Sequence, residues 1–275
     1  MQNQGKPEMI ERTALGAQIE KHWREHRPQM VKELEKAGRL EQAVLEAQEL
    51  TGDLLYELVS VKKMDYQAAW DLQLRLVQAV HQGDSPNTLL LLEHPHVYTR
   101  GRLAPPDQIL LSAAELAARG IPVIDTDRGG LVTYHGPGQL VGYPVVNLRG
   151  WGGPLRYVRA LEQVIIRALA DFGIEAGLVA GLTGVWVGDA KIAAIGVKIS
   201  RGVAHHGFAI NVNTDLSYFR QIIPCGIADR EVTSLARLLA RPVDLAGVKE
   251  RVALHFGAGL GFRMVRAESV AQVFQ

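Results

Sequence analysis

From Thr88 to Val212 the chain alternates short apolar runs with glycine- and proline-rich breaks, and helical stripes interrupt the runs without regular order. Thr88 to Glu93 reads as a buried strand, with Val97 to Arg100 as a short second one and Ile121 to Asp125 extended. Leu131 to Tyr134 and Leu140 to Leu148 read as strands around a Gly/Pro turn. Gly184 to Val187 and Lys191 to Ser200 look like a hairpin turning at Gly188-Asp189, and His206 to Val212 is a further strand. Helical spacing marks Asp65 to Gln82, through Ala69, Leu72, Leu76 and Val80, and Leu110 to Arg119. It also marks Leu155 to Phe172, ended by Gly173, then Thr233 to Ala240, and Leu245 to Phe256 after an Asp244 cap. Many strands without a βαβ rhythm predict an α+β fold, a mixed β-sheet with flanking helices.

The chain before Tyr56 has another texture. Glu20 to Val59 is rich in Glu, Lys, Gln, Leu and Ala and shows no strand-like run. Met30, Leu34, Leu40, Val44 and Ala47 recur at near-helical spacing, with Pro28 and Gly38 placed to start or stop helices. Residues 1–55 are therefore expected to form a helical extension, either packed on the body or docking a partner, with residues 1–12 disordered for want of apolar groups. Residues 56–275 are expected to be the catalytic domain.

The 275 residues, 47% hydrophobic and 21% charged, suffice for a sizeable packed core. Lys and Arg total 30 against 29 acidic residues, a balance that argues against nucleic-acid binding. Cys225 is the one cysteine, so no intramolecular disulfide can form. No secretory signal is visible, and the longest apolar stretches fall far short of the roughly 18 residues a membrane span needs. The expected setting is cytoplasmic, away from membranes, with a reduced thiol.

The most unusual stretch is Arg128 to Leu140, which puts Gly129, Gly130, Gly136, Pro137 and Gly138 among Arg, Tyr, His and Gln. Glycines let a ligand approach main-chain N–H groups closely, and Arg128 and His135 can add charge or hydrogen bonds to a carbonyl or phosphate oxygen. A plain β-turn between two strands also accounts for Gly136 to Gly138.

Arg128-Gly129-Gly130, Thr133 to Leu140 and Tyr143-Pro144 resemble the signature of the lipoyl(octanoyl) transferases of lipoate biosynthesis. Leu89 to Thr99, Lys191 to Gly196 with His206 to Ala209, and Ile223-Pro-Cys-Gly-Ile227 with Val232 to Leu235 resemble further blocks of that family, in its order. Ala193 stands where many relatives carry serine. The resemblance spans roughly residues 55–260 and leaves out the N-terminal helices. It implies the fold of the biotin and lipoate protein ligases. It implies transfer of octanoyl (or lipoyl) from octanoyl-acyl carrier protein to a lysine of lipoyl domains, those of ketoacid dehydrogenases and the glycine cleavage H protein. Carried over, Cys225 is the acyl-thioester nucleophile and Lys191 the lysine that tunes it. The acyl-binding stretches become Arg128, Gly129, Gly130, Leu131, Val132, Thr133, Tyr134 and His135, then Ala194, Ile195 and Gly196, then Gly207, Phe208 and Ala209.

The chemistry suits these residue types. A thioester is already activated, so its transfer calls for no ATP, other cofactor or metal. A thiol with an ordinary pKa of about 8.5 is mostly protonated at neutral pH, and a neighbouring ammonium favours the nucleophilic thiolate. The oxyanion donors are either the glycine loop or the N–H groups around Cys225-Gly226. Unbroken strand alternation puts Lys191 and Lys198 on opposite faces, so Lys198 is expected to be solvated and Lys191 to face the site. His206 is a candidate orienting group, and His205, on the other face, is expected to take no part. Tyr98, Tyr143, Leu131, Val145 and Ile195 are candidates for the acyl path. His94 and His96 lack a third nearby metal ligand. Two rival readings are an ATP-dependent lipoate or biotin-type ligase, which needs no cysteine, and a non-catalytic acyl-binding protein.

Overall fold

The computed structural model describes residues 20, 24, 28–44, 55–60, 63–223 and 231–267. The chain divides into two compact units, residues 1–55 with 261–263 and residues 56–260 with 264–275. In the first, α1 (Pro28–Lys36) begins at its proline, whose missing N–H costs a first turn nothing. Gly38, at φ 65°, follows its end. The remaining helices expected before Tyr56, and the fraying expected of residues 1–12, lie largely outside the described residues.

Leu55–Ser60 is a strand, β1, although the preceding residues read as helical. It pairs in parallel with β2 (Thr88–Leu92), so the sheet's demand for a partner overrides local texture. Between them α2 (Tyr66–Gln82) starts where the Asp65 carboxylate accepts the Gln67 and Ala68 N–H groups, and ends at Gly83, φ 89°. The chain then forms β3 (Val97–Arg100), α3 (Ala113–Ala118), β4 (Val123–Asp125), β5 (Val132–His135) and β6 (Gln139–Asn147). α3 starts later than the sequence suggested because Ser112 and Glu115 close a capping box there. Next come α4 (Pro154–Ala170), β7 (Gly177–Val179), β8 (Leu182–Val187), β9 (Ala190–Ser200) and β10 (Val203–Asn211). After a 3₁₀ turn at Leu216–Gln221 follow α5 (Leu235–Leu239), α6 (Leu245–Leu260) and β11 (Arg263–Arg266).

These strands make an eight-stranded sheet in the order β11-β1-β2-β6-β10-β9-β8-β7 and a three-stranded sheet β4-β3-β5. Both are mixed, since β1–β2 and β3–β4 run parallel while β2–β6, β6–β10, β9–β10 and β3–β5 run antiparallel. The expected α+β class with flanking helices is the observed one. The apolar stripe of α2 lies on the middle of the large sheet, where Ala69, Leu72 and Leu76 meet Leu90, Val141 and Val145. A second, smaller core gathers Tyr98, Tyr134, Phe219 and Ile222 beside the small sheet.

Two glycines set the approach of β6 to β10. A Cβ on Gly207 would lie 2.2 Å from the Gly142 carbonyl oxygen, and one on Gly142 would lie 2.2 Å from the Phe208 ring. The obstacle at Gly207 is main chain and cannot turn aside. Gly207→Ala is therefore expected to cost at least the roughly 1–3 kcal/mol of an overpacked core, read as a lowered denaturation midpoint.

His94 is fully buried between β2 and β3. Its Nδ1–H donates to the Met64 carbonyl at 2.7 Å and its Nε2 accepts the Tyr143 hydroxyl at 2.8 Å. Burial lowers its pKa to about 4 despite the opposing Met64 carbonyl. The folded protein thus keeps His94 neutral over a range in which the unfolded chain binds a proton. Stability is expected to fall as pH drops from about 6.5 to about 4, with His94 contributing on the order of 3 kcal/mol. Denaturant titrations at neutral and acidic pH check this: His94→Gln should start less stable and lose less on acidification.

Candidate active site

A cavity of about 230 Å³ opens between the glycine loop and strands β9 and β10, within residues 56–260. It is smaller than the roughly 300–1,000 Å³ typical of drug-sized sites and suits a slender ligand. Of the stretches 128–135, 194–196 and 207–209, all but Gly129 and Tyr134 line it, together with Lys191, His206 and Tyr143. Gly129 instead donates its N–H to the Val197 carbonyl, fastening the loop to β9. Tyr134 faces the smaller core, its hydroxyl 2.7 Å from His96 Nδ1 and its ring stacked on Tyr218 at 4.7 Å. Leu131 and Ile195 border the cavity. Val145 belongs to the main core, and Tyr98 to the smaller one, where its hydroxyl donates to the Tyr218 carbonyl.

Cys225 falls in residues 224–230, outside the described residues, but both approaches to that segment are defined. Before it, Ile223 N–H donates to the Gln108 carbonyl and Leu110 N–H to the Gln221 carbonyl. Tyr218 packs against both His96, at 4.6 Å, and Tyr134, at 4.7 Å, and those two rings lie 6.1 Å apart. After it, Lys191 N–H donates to the Glu231 carbonyl, and Thr233 N–H donates to the Lys191 carbonyl, each at 2.9 Å. Phe219 and Val232, on either side of the segment, both line the cavity.

Lys191 stands at the start of β9 beside the β8–β9 turn, and its Nζ lies 4.7 Å from the centre of the Trp186 ring. The β8–β9 register shifts between Val185 and Trp186, a bulge that breaks strict alternation. The opposite-face argument for Lys191 and Lys198 therefore fails. Lys198 is not a solvated strand residue: its ammonium meets Asp127 at 2.6 Å, next to the cavity loop. His205 does not line the cavity, but it does not face away from His206 either. His206 has φ 54°, a left-handed conformation within a strand, and its ring stacks on that of His205 with centres 5.0 Å apart.

His206 Nε2–H donates to Asp127 Oδ1 at 2.6 Å. Burial lowers its pKa to about 4, against the opposing pull of Asp127, so the imidazole is neutral at physiological pH. Burial alone would raise the Asp127 carboxyl, but the hydrogen bonds from Lys198 and His206 outweigh it and hold the group below its usual range. Asp127, His205 and His206 bring three metal-type donors within 4.8 Å of one another. Both Asp127 oxygens are already engaged, one by the Lys198 ammonium, so a dication would have to displace that charge. His94 and His96 do not form a pair, since each has its own partner.

Burial, then the nearby His94 and Arg128, push His135 well below its ordinary pKa and keep it neutral. Its Nδ1–H donates to Gln139 Oε1, whose amide donates to Asn211 Oδ1, and the Asn211 amide donates to the Thr233 carbonyl. This relay joins the glycine loop to the chain following Cys225. The Arg128 guanidinium is spent internally, donating to the Thr99 carbonyl and hydroxyl and to the Gly129 carbonyl. Tyr66, Leu182 and Asn211 line the cavity without having been anticipated. Asn211 lies two residues beyond Ala209 on the same strand face, a signal in period two; Tyr66, at a helix start, carries none.

The sequence matches the lipoyl protein ligase A/B catalytic domain over residues 65–257. An octanoyltransferase of Solibacter usitatus is 51% identical over 210 residues, covering 76% of this chain and 94% of the relative. One of Chloroflexus aurantiacus is 55% identical over 196 residues, covering 70% and 88%. Among solved structures, a lipoate-protein ligase A bound with ATP superposes with TM-score 0.62 at 16% identity, covering 79% of this chain and 92% of the other. A bipartite lipoate protein ligase of Thermoplasma acidophilum superposes with TM-score 0.61 at 16% identity, covering 79% and 89%. At such identity the two ligases share the fold alone, whereas the matched domain and the closely similar relatives place function: the chain belongs to the octanoyltransferase family, acyltransferases of lipoate biosynthesis.

Proposed function

We propose that the chain takes octanoyl from octanoyl-acyl carrier protein onto Cys225 as a thioester, then passes it to a lysine of a lipoyl domain. The observation that carries this reading is the double main-chain link from Lys191 to Glu231 and Thr233, just past the Cys225 segment, on a largely apolar cavity. Acceptors of that class are also suggested by the Thermoplasma ligase, described together with its E2 lipoyl domain. The lipoyl domains of ketoacid dehydrogenases and the glycine cleavage H protein are the proposed targets, and the cytoplasm the proposed setting. Among the described residues no helix is long and apolar enough to cross a membrane.

In the starting state Cys225 is a thiolate and Lys191 an ammonium. The thiolate attacks the donor carbonyl, the carrier's sulfur departs, and Lys191 gives that sulfur its proton. Lys191 is then neutral and can take a proton from the acceptor amine as it attacks the Cys225 thioester. Collapse of the second tetrahedral intermediate releases the thiolate and restores the ion pair. Octanoyl lies along Leu131, Ile195 and Phe208, with neutral His135 and His206 bounding the polar side. A thioester donor leaves no activation step for ATP to drive.

Intact mass spectrometry after incubation with octanoyl-acyl carrier protein, without ATP, should show one added octanoyl group. It should be absent in Cys225→Ser and lost to an added lipoyl domain from the wild-type adduct. Lys191→Ala should slow both half-reactions by roughly 10²–10⁴-fold, the usual range for a positioned acid–base group. Activity that appears only with ATP and free octanoate would instead make the chain a ligase. Carrier binding without acylation would make it a binding protein. We further propose that residues 1–55 are dispensable for the chemistry. A chain beginning near Tyr56 should fold and retain transfer within about threefold, and a folded but inactive truncation would refute this.

A further inference from the structure

We propose that Trp186 is a positioning residue for Lys191, its indole face holding the ammonium at the place where the acyl group changes hands. The inference rests on the reading of Lys191 as the tuning group and goes beyond it by naming what fixes that charge.

The two residues are direct cross-strand partners, Trp186 on β8 facing Lys191 on β9. Lys191 Nζ sits 4.7 Å from the ring centre, inside the range of about 6 Å for a cation–π contact, and tryptophan offers the strongest such face. The indole is 3% exposed, so its plane is set by its surroundings. A lysine stem has four rotatable carbons and no intrinsic preference for one place. Here its root is tied by the Glu231 and Thr233 hydrogen bonds while its tip rests on a rigid ring.

Two further features clear room for that arrangement. The register shift between Val185 and Trp186 adds a residue to β9 immediately after Lys191, which re-aims the lysine relative to the rest of the strand. Gly184, at φ 121°, faces the same spot: a Cβ there would stand 2.6 Å from the Ala193 carbonyl oxygen and 3.4 Å from Lys191 Cε. A hairpin needs neither device for its own pairing. Together they let a charged tip lie flat on the ring beside an apolar cavity.

The sole cysteine gives a readout independent of turnover. Iodoacetamide alkylation reports the thiolate of Cys225, which the Lys191 ammonium favours. At neutral pH, Trp186→Leu should alkylate roughly three- to tenfold more slowly than wild type, as expected from losing a partly desolvated cation–π contact. Near pH 10, where the thiol ionises unaided, the rates should converge. Trp186→Phe, which keeps a ring face, should fall between the two, and acyl transfer should follow the same order through kcat with KM little changed. In a Lys191→Ala background, Trp186→Phe should have no further effect on alkylation.

Wild-type alkylation and kcat in folded Trp186→Leu would overturn the proposal, as would equal losses in the Phe and Leu variants. A slowing that persists near pH 10, or a full further drop in the Lys191→Ala background, would overturn it too. Should the Leu variant not fold, the Phe variant and its double mutant carry the same test. If Lys191→Ala itself alkylates and transfers like wild type, the reading of Lys191 fails, a result distinct from any of these.

Discussion

The hydrogen bonds that Lys191 exchanges with Glu231 and Thr233 join three things that sequence keeps far apart. Through its main chain Lys191 belongs to β9 and so to the large sheet, which buries its strands under α2. Through the same atoms it holds the chain that emerges from the Cys225 segment. Through its side chain it reaches the cavity. A main-chain link of this kind survives side-chain motion, because breaking it would leave buried N–H and C=O groups unpaired. The chain from Glu231 to Thr233 is thereby tied to a strand of the large sheet rather than to a loop. On the other side, contacts with His96 and Tyr134 hold Tyr218, in the turn that ends at Gln221.

Polar groups around the cavity are arranged so that Asp127 meets Lys198, Arg128 donates to neutral acceptors, and His94, His135 and His206 carry no charge at neutral pH. His94, His135 and His206 all have pKa values depressed chiefly by burial. Protonating any of them would place a cation in a poorly solvated region, for His135 and His206 near Arg128 as well, which is unfavourable. They act instead as hydrogen-bonding struts, and the relay from His135 through Gln139 and Asn211 to Thr233 ends one residue from the Val232 bridge to Lys191. The glycine loop and the chain at Thr233 are thus joined by neutral groups alone.

Elements with strong local signals were legible in the sequence. The 3.6-residue stripe of α2, the Gly188-Asp189 turn between β8 and β9, and the run of leucines in β2 each depend on neighbours within a few residues. Three strands were not. β7 has three residues, β11 is largely polar, and β1 follows a stretch of helical composition; each is a strand because a partner edge accepts it. At the site, most of the lining residues were legible because motif and resemblance coincide there. The errors have one origin. Assigning Lys198 and His205 to the far face assumed an unbroken pleat, but a bulge beside Lys191 and a left-handed His206 alter which side chains meet. Neither device has a composition of its own, since both are imposed by what packs around them.

A fold shared with ATP-using ligases leaves the donor to be decided by particular residues. Among the described residues lining the cavity, the fixed cations are Arg128 and Lys191. Activating a free acid with ATP means holding several phosphate charges, for which a guanidinium fork is well suited. Arg128 directs its donors to the Thr99 and Gly129 carbonyls and packs against the glycine positions 101, 130 and 196, where a Cβ would stand within 3.6 Å of it. That guanidinium braces the loop. Lys191 is likewise laid on an aromatic face and linked through its backbone to the cysteine segment. Both cations are thus committed to the protein's own groups, one to the glycine loop and one to an aromatic ring.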